Sequence, residues 1–172
     1  MTRTLVVVRH AKAQHSHPDG DHERELAPRG MEDAQGLGRW LAEQDLLPDL
    51  VLASTAARTR QTTEHLLAGA GASGVDVWSA RGIYDGGPSA VIAAVHEAPE
   101  DATTVWVVGH QPAVGMLTLA LADPGDSDEG VLDEVGGHFP TAAAAVLHTH
   151  AVSWVDLGPG CARLVAFHAA RG

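Results

Sequence analysis

The sequence predicts an α/β fold, a single-domain three-layer α/β/α arrangement with a mostly parallel central sheet and an antiparallel C-terminal edge. Three observations predict it. Short β-branched runs alternate with segments of helical spacing through the first two-thirds of the chain, the pattern of a parallel sheet covered on both faces. The last third breaks that rhythm with closely spaced apolar runs joined by tight turns. No linker or internal repeat divides the 172 residues, which is the length of one domain with a full core.

The elements follow in order. Arg3 to Val8 is a β-branched run that reads as a buried strand. Ala11 to Glu25, rich in His, Asp and Gly, reads as a loop. Pro28 suits the first turn of a helix, with Met31, Ala34, Leu37 and Leu41 at helical spacing, and Pro48-Asp49 ends that unit. Leu50 to Ala53 is the second strand, after which Ser54 is expected to cap a helix from Thr55 to about Ala68. Gly69 to Gly74 is a turn and Val75 to Trp78 a third strand. Gly82 to Gly87 is expected to be a loop, followed by a helix opened by Pro88 with Val91, Ile92 and Val95 inward. Thr103 to Val108 is a strand broken by Gly109, and Pro112 starts a helix to about Ala122. Asp123 to Glu134 carries six acids and no Lys or Arg, the mark of a solvated loop. Thr141 to Thr149, Val152 to Leu157 and Arg163 to His168 read as the strands of the antiparallel edge.

Composition narrows the function. Hydrophobic residues make up 45% and charged residues 19%, and no apolar run approaches the ~20 residues needed to span a bilayer. Leu5 to Val8 follows Met1 too closely for a signal peptide, so the cytoplasm is the expected compartment. Cys161 is the only cysteine, which removes internal disulfides and Cys-based metal knuckles. A formal net charge of −11 repels nucleic acid and anionic lipid, so neither is an expected partner. An anionic substrate must be captured by a local basic pocket working against that field.

Two strands end alike, in Val8-Arg9-His10 and Val108-Gly109-His110. In an open α/β sheet, ligands bind outside the carboxyl ends of strands where strand order reverses. Arg58 stands at the start of the helix after the second strand. The ends thus gather Arg9, His10, Arg58 and His110 in an acidic protein. Arginine forks bind phosphate oxygens bidentately, and a neutral imidazole can form a covalent intermediate that water later cleaves. A second imidazole, if protonated, would balance charge. Such a set needs no metal and no cofactor.

Arg9-His10-Ala11-Lys12 resembles the Arg-His-Gly or Arg-His-Ala signature of the histidine phosphatase, or phosphoglycerate mutase-like, superfamily. Arg24-Glu25-Leu26 with Gly30 resembles its "RxLxxxG" stretch. Pro48-Asp49 and Ser54 to Thr62 resemble "PD…S-x-x-x-R-x-x-Q-T", and Gly109-His110-Gln111-Pro112 resembles "GHxP". The blocks run in the family's order, and the short chain with its Arg-His-Ala-Lys form is similar to the SixA-type phosphohistidine phosphatases. The resemblance implies that His10 accepts the phosphoryl group while Arg9, Arg58 and His110 clamp its oxygens. It implies a further donor in the Gln111 backbone N–H and a phosphate contact at Ser16. Arg24 is placed either at the pocket rim or in an ion pair with an acidic neighbour. Larger relatives carry a Glu general acid in an "L-x-E" context. No Glu occurs in Arg81-Gly82-Ile83-Tyr84-Asp85, which leaves Asp85 as a candidate acid or a turn-former.

The expected substrate is a phosphorylated protein, in particular a histidine-phosphorylated signalling domain. A small phosphate ester is the alternative on the same core, and from another class a non-catalytic phosphoprotein-binding module. A mutase would need a more enclosed site than these short loops provide. His15, His17 and His22 in the first loop, and His148-x-His150 on a strand, could bind metal, with solvent-facing histidines the plainer reading. Lys12, the only lysine, either adds charge to the pocket mouth or is simply solvated.

Overall fold

The computed structural model describes residues 1–171. Its core is a six-stranded sheet of order β3-β2-β4-β1-β5-β6. The strands are β1 (Arg3–Arg9), β2 (Leu50–Ser54), β3 (Asp76–Ala80), β4 (Thr104–Gly109), β5 (Ala143–Thr149) and β6 (Ala162–Ala169). The first four run parallel, and β5 pairs antiparallel with both β1 and β6, which makes the antiparallel C-terminal edge that was expected. The helices are α1 (Pro28–Glu43), α2 (Ala57–Ala70), α3 (Arg81–Asp85), α4 (Gly87–His96), α5 (Ala113–Leu121) and α6 (Glu129–Gly137).

Strand side chains alternate between the two faces of the sheet, which sorts the core into two layers. Leu5, Val7, Leu52, Val105 and Val107 pack with Val91 and Val95 of α4, Val114 and Leu117 of α5, and Val135 of α6. Val6, Val8, Val51, Trp106 and Val108 pack on the other face with Leu37 and Leu41 of α1 and Leu66 of α2. Helix α1 lies close on α2 because Gly38 has no side chain; a Cβ there would run into the Leu66 carbonyl. The edge strand β3 is largely exposed. Among the described residues, no helix is long and apolar enough to cross a membrane.

Four local expectations are corrected. The Gly82–Gly87 segment is not a loop: α3 forms because Ile83 is 2% exposed and anchors the turn, and Arg81 pairs with Asp85 at 3.3 Å one turn on. Tertiary burial here overrides poor helix propensity. The acidic stretch ends in α6, because the Asp128 carboxylate accepts from the Val131 N–H at 3.1 Å and Val131, Leu132 and Val135 pack on the core. The Val152–Leu157 run is a 3-10 turn at Trp154–Asp156; fully buried Trp154 donates to the Ala102 carbonyl at 2.7 Å and pins it. Ser54 does not cap α2. It is the last residue of β2, and its hydroxyl is used at the cleft described below.

The chain leaving β1 crosses to β2 on one side, whereas the chain leaving β4 passes to β5 on the other. Neighbouring β1 and β4 therefore flank a topological switch point, where a crevice opens at the carboxyl ends.

Candidate active site

His10 follows the last residue of β1 and His110 follows the last residue of β4. Because β1 and β4 pair in register, Arg9 opposite Gly109, the two imidazoles face each other with ring centroids 5.2 Å apart. Arg58, the second residue of α2, enters from the neighbouring strand's end. The resulting cleft, of about 280 Å³, is lined by Arg9, His10, Lys12, Ala13, His15, Arg24, Arg58, His110, Gln111 and Thr141. All four expected core residues meet in it.

The surrounding motif residues hold this geometry. The Thr62 hydroxyl accepts from the Ala11 N–H at 3.0 Å and donates to the Arg58 carbonyl at 2.6 Å, so α2 braces the backbone just after His10. The Gln61 side chain accepts from the Leu26 N–H at 2.7 Å and fixes the far end of the first loop. Gly30 lets α1 start hard against the same loop, since a Cβ there would strike the Lys12 carbonyl. Asp49 takes three hydrogen bonds from Thr103 and Thr104, tying the start of β2 to β4.

The protonation pattern follows from the partners. His10 is 8% exposed and its Nδ1 lies 2.8 Å from the Ala11 carbonyl oxygen. A carbonyl only accepts, so Nδ1 carries the hydrogen and Nε2 keeps its lone pair. Burial pushes the His10 pKa down to about 3, against the opposing Ala11 hydrogen bond, with His110, Arg58 and Arg9 adding to the depression. His110 is the other tautomer. Its Nδ1 sits 3.4 Å from Arg58 Nη2, a donor, so Nε2 bears the hydrogen and donates to Ser54 Oγ at 2.8 Å. Burial, then Arg58, brings its pKa down to about 4. The resting cleft thus holds two neutral imidazoles, and the charge comes from the arginines. Arg9 Nη1 donates to the Phe139 carbonyl at 2.9 Å, while the Nε–H groups of both Arg9 and Arg58 are buried without a partner.

Other expected residues fall at or beyond the rim. Arg24 does both things foreseen for it, lining the cleft while pairing with Asp21 at 2.9 Å. The Gln111 side chain turns back to accept from the Gly115 N–H at 2.8 Å. Ser16 lines an adjoining depression with His15, His17, Gly20, Asp21 and Arg24, and is not among the residues lining the cleft itself. Asp85 is paired with Arg81 and is likewise absent from the lining. His148 and His150 line a separate depression at the opposite end of the sheet, and the described residues contain no group of three or more His, Cys, Asp or Glu arranged to hold a metal.

Sequence reasoning missed Asp21 and Tyr84. Asp21 accepts from Arg58, Arg24 and Tyr84, and Tyr84 stands edge-on to His110 at 5.6 Å. The only signal in the chain was the i, i+3 charge pair Asp21-x-x-Arg24.

A switch-point cleft that offers an anion a buried arginine, Arg58, a half-buried one, Arg9, and two neutral imidazoles defines a phosphoryl-handling enzyme. The comparisons agree. A family model, the histidine phosphatase superfamily (branch 1), matches residues 5–80. A protein from Nakamurella multipartitia provisionally described as a SixA phosphohistidine phosphatase superimposes with a TM-score of 0.87 at 36% identity, covering 100% of this chain and 98% of that one. One from Agrobacterium tumefaciens with the same description gives 0.78 at 28% identity, over 97% of each chain. An uncharacterized protein of Mycobacterium tuberculosis, Rv1276c, is 40% identical over 168 residues, 95% of this chain and 100% of the relative. The chain belongs to the histidine phosphatase superfamily, and it is a phosphatase.

Proposed function

We propose that this phosphatase works through a covalent phosphohistidine on His10 Nε2, without a metal, and that its substrate is phosphohistidine on a signalling protein. One observation carries the reading. The His10 Nδ1–H is committed to the Ala11 carbonyl, so its Nε2 keeps a lone pair in a cleft that Arg9 and Arg58 also line, and each of these arginines has a buried Nε–H without a partner. Those donors await an acceptor, and a phosphoryl group brings three oxygens.

In the first step Nε2 forms a bond to phosphorus while the bond to the leaving group breaks. Arg9 and Arg58 hold the non-bridging oxygens as charge redistributes. Neutral His110 takes a proton at Nδ1 more readily once an anion is bound beside it, and its Nε2–H stays on Ser54. In the second step water attacks phosphorus, releasing orthophosphate and regenerating His10. Gln111 contributes through its backbone N–H, because its side chain is occupied elsewhere. Ser16 serves at most the outer part of the substrate.

The leaving group supplies the argument for a P–N bond. Among the described residues lining the cleft there is no carboxylate to act as general acid. Such an acid is worth about 10²–10⁴ in rate when an alkoxide must leave. A histidine leaving group carries its own proton on the second ring nitrogen and departs neutral. The test pairs two measurements. Acid-labile, base-stable label from a phosphohistidine peptide should appear on His10. The kcat/KM for that peptide should exceed that of a matched phosphoserine peptide, after correction for spontaneous hydrolysis. A faster phosphoserine reaction would bring the small-ester reading forward.

A further inference from the structure

A carboxylate that the phosphoryl chemistry does not call for, Asp21, stands in the depression adjoining the cleft and reaches its arginine. Gly20, at φ 101, turns the first loop so that both the main-chain and side-chain oxygens of Asp21 face Arg58. Arg58 Nη1 donates to the Asp21 carbonyl at 2.9 Å and Nη2 to its Oδ2 at 3.2 Å. Tyr84 donates to the same oxygen at 2.8 Å, and Arg24 Nε to Oδ1 at 2.9 Å. Asp21 thus grips the Nη1/Nη2 edge of a fork whose Nε–H stays buried and unpartnered. Arg58 Nη2 also lies 3.4 Å from His110 Nδ1, so a phosphoryl group bound in the cleft draws on a guanidinium that Asp21 already holds.

We propose that Asp21 is a resident counter-ion of the phosphoryl clamp, a specificity-determining residue that weakens the hold on dianionic phosphate relative to the transition state. The proposal rests on Arg58 acting as that clamp. The loose transition state of phosphoryl transfer spreads its charge and is metaphosphate-like, whereas orthophosphate and the bound phosphoryl substrate approach two full negative charges. A fixed carboxylate beside Arg58 penalises the dianions more. It raises the free energy of ground state and product against the transition state, which is the differential binding that speeds turnover. Asp21 is not a proton donor here. The Tyr84 hydrogen bond, with Arg24 and Arg58 and against some desolvation, holds its pKa down to about 2.

The experiment is a titration with inorganic phosphate, followed calorimetrically and as competitive inhibition, on the wild type, Asp21→Asn and Asp21→Glu. Removing the charge should tighten phosphate binding about tenfold, with kcat and KM both falling. Asp21→Glu keeps the charge and should bind as the wild type does. Asp21→Ser removes the charge by another route and replaces Asp21→Asn should that variant not fold. A lost structural support has the opposite sign, since a disordered Arg58 binds phosphate less well. Unchanged or weaker binding in the charge-removed variants overturns the counter-ion, and so does equal tightening in Asp21→Glu. Either result leaves the phosphatase reading standing if the wild type still binds phosphate and turns over. A wild type that binds no phosphate overturns the clamp itself.

Discussion

Arg3 and Arg9 stand at opposite ends of β1, six residues apart, and the difference between them separates scaffold from site. Arg3 is 3% exposed, and its fork donates to the carbonyls of Glu100, Ala102 and Val152 and to the Glu100 carboxylate. Its guanidinium also lies 5.6 Å over the Trp154 ring. At the other end, Arg9 and Arg58 each keep a buried Nε–H with no partner. A buried donor left unmade costs about 1–3 kcal/mol. The fold gives its structural arginine four hydrogen bonds and leaves that cost standing where a ligand can repay it.

Mutation should break the two ends differently. His10→Ala should remove turnover by at least ~10³-fold while the melting temperature changes little, because the side chain lies at a cleft and opens no cavity in the core. Arg58→Ala should cost ~10²–10³ in kcat/KM through lost charge stabilisation. Arg3→Ala should reverse the pattern, costing about 2–4 kcal/mol of stability as several carbonyls lose a buried donor, with kcat per folded molecule unchanged. Steady-state kinetics beside urea unfolding decides it. A folded, active His10→Ala protein would remove the covalent mechanism.

The cleft end should also make the protein acid-sensitive. His10 and His110 are depressed to about 3 and about 4 from 6.5, mainly by burial. Between those values and 6.5 the unfolded chain binds protons at these rings and the folded chain does not. Stability therefore rises with pH across this window and falls on acidification. From pH 6.5 down to 5, His10 alone should account for a loss of about 2 kcal/mol. The carboxylates lowered from 3.8, Asp21 and Asp49, act mainly below pH 5, whereas His148 and His168, lowered from 6.5 by burial, add the same sign in wild type and variant alike. Unfolding free energies measured across this range should show a shallower slope in His10→Ala. An equal slope in both proteins would mean that His10 takes up its proton as readily in the folded state as in the unfolded one.

Much of this was legible in the sequence because strand ends are. Val8-Arg9-His10 and Val108-Gly109-His110 announce where two strands stop, and parallel pairing then brings the histidines together. Arg58 was legible for the same reason, lying just past Ser54. What stayed hidden depends on long-range contact. A segment as glycine-rich as Gly82–Gly87 becomes helical only because Ile83 finds the core, and that places Tyr84 against the cleft. Ser54 read as a helix cap because a hydroxyl before a helix usually is one. Its partner, the His110 imidazole, lies 56 residues away. Asp21 sat among loop acids with nothing local to distinguish it.

The smallest expected effect concerns the two histidine pairs. His148 and His150 share a depression of about 530 Å³ with Asp123, Asp126 and Asp156 at the far end of the sheet, where no three of these side chains are arranged to hold a metal. The proposed chemistry asks nothing of that end. In the cleft, charge on the transferring group is met by Arg9 and Arg58, whose positive charge attracts an anion and repels a cation. His10 Nε2 must stay free to attack, whereas metal coordination would consume that lone pair. Extensive treatment with a chelator should therefore leave kcat and KM unchanged, and His148→Ala with His150→Ala should do the same. Added Zn²⁺ should inhibit if it does anything, by occupying His10. Activity that disappeared with the chelator and returned with metal would mean that the arginines do not carry the charge balance.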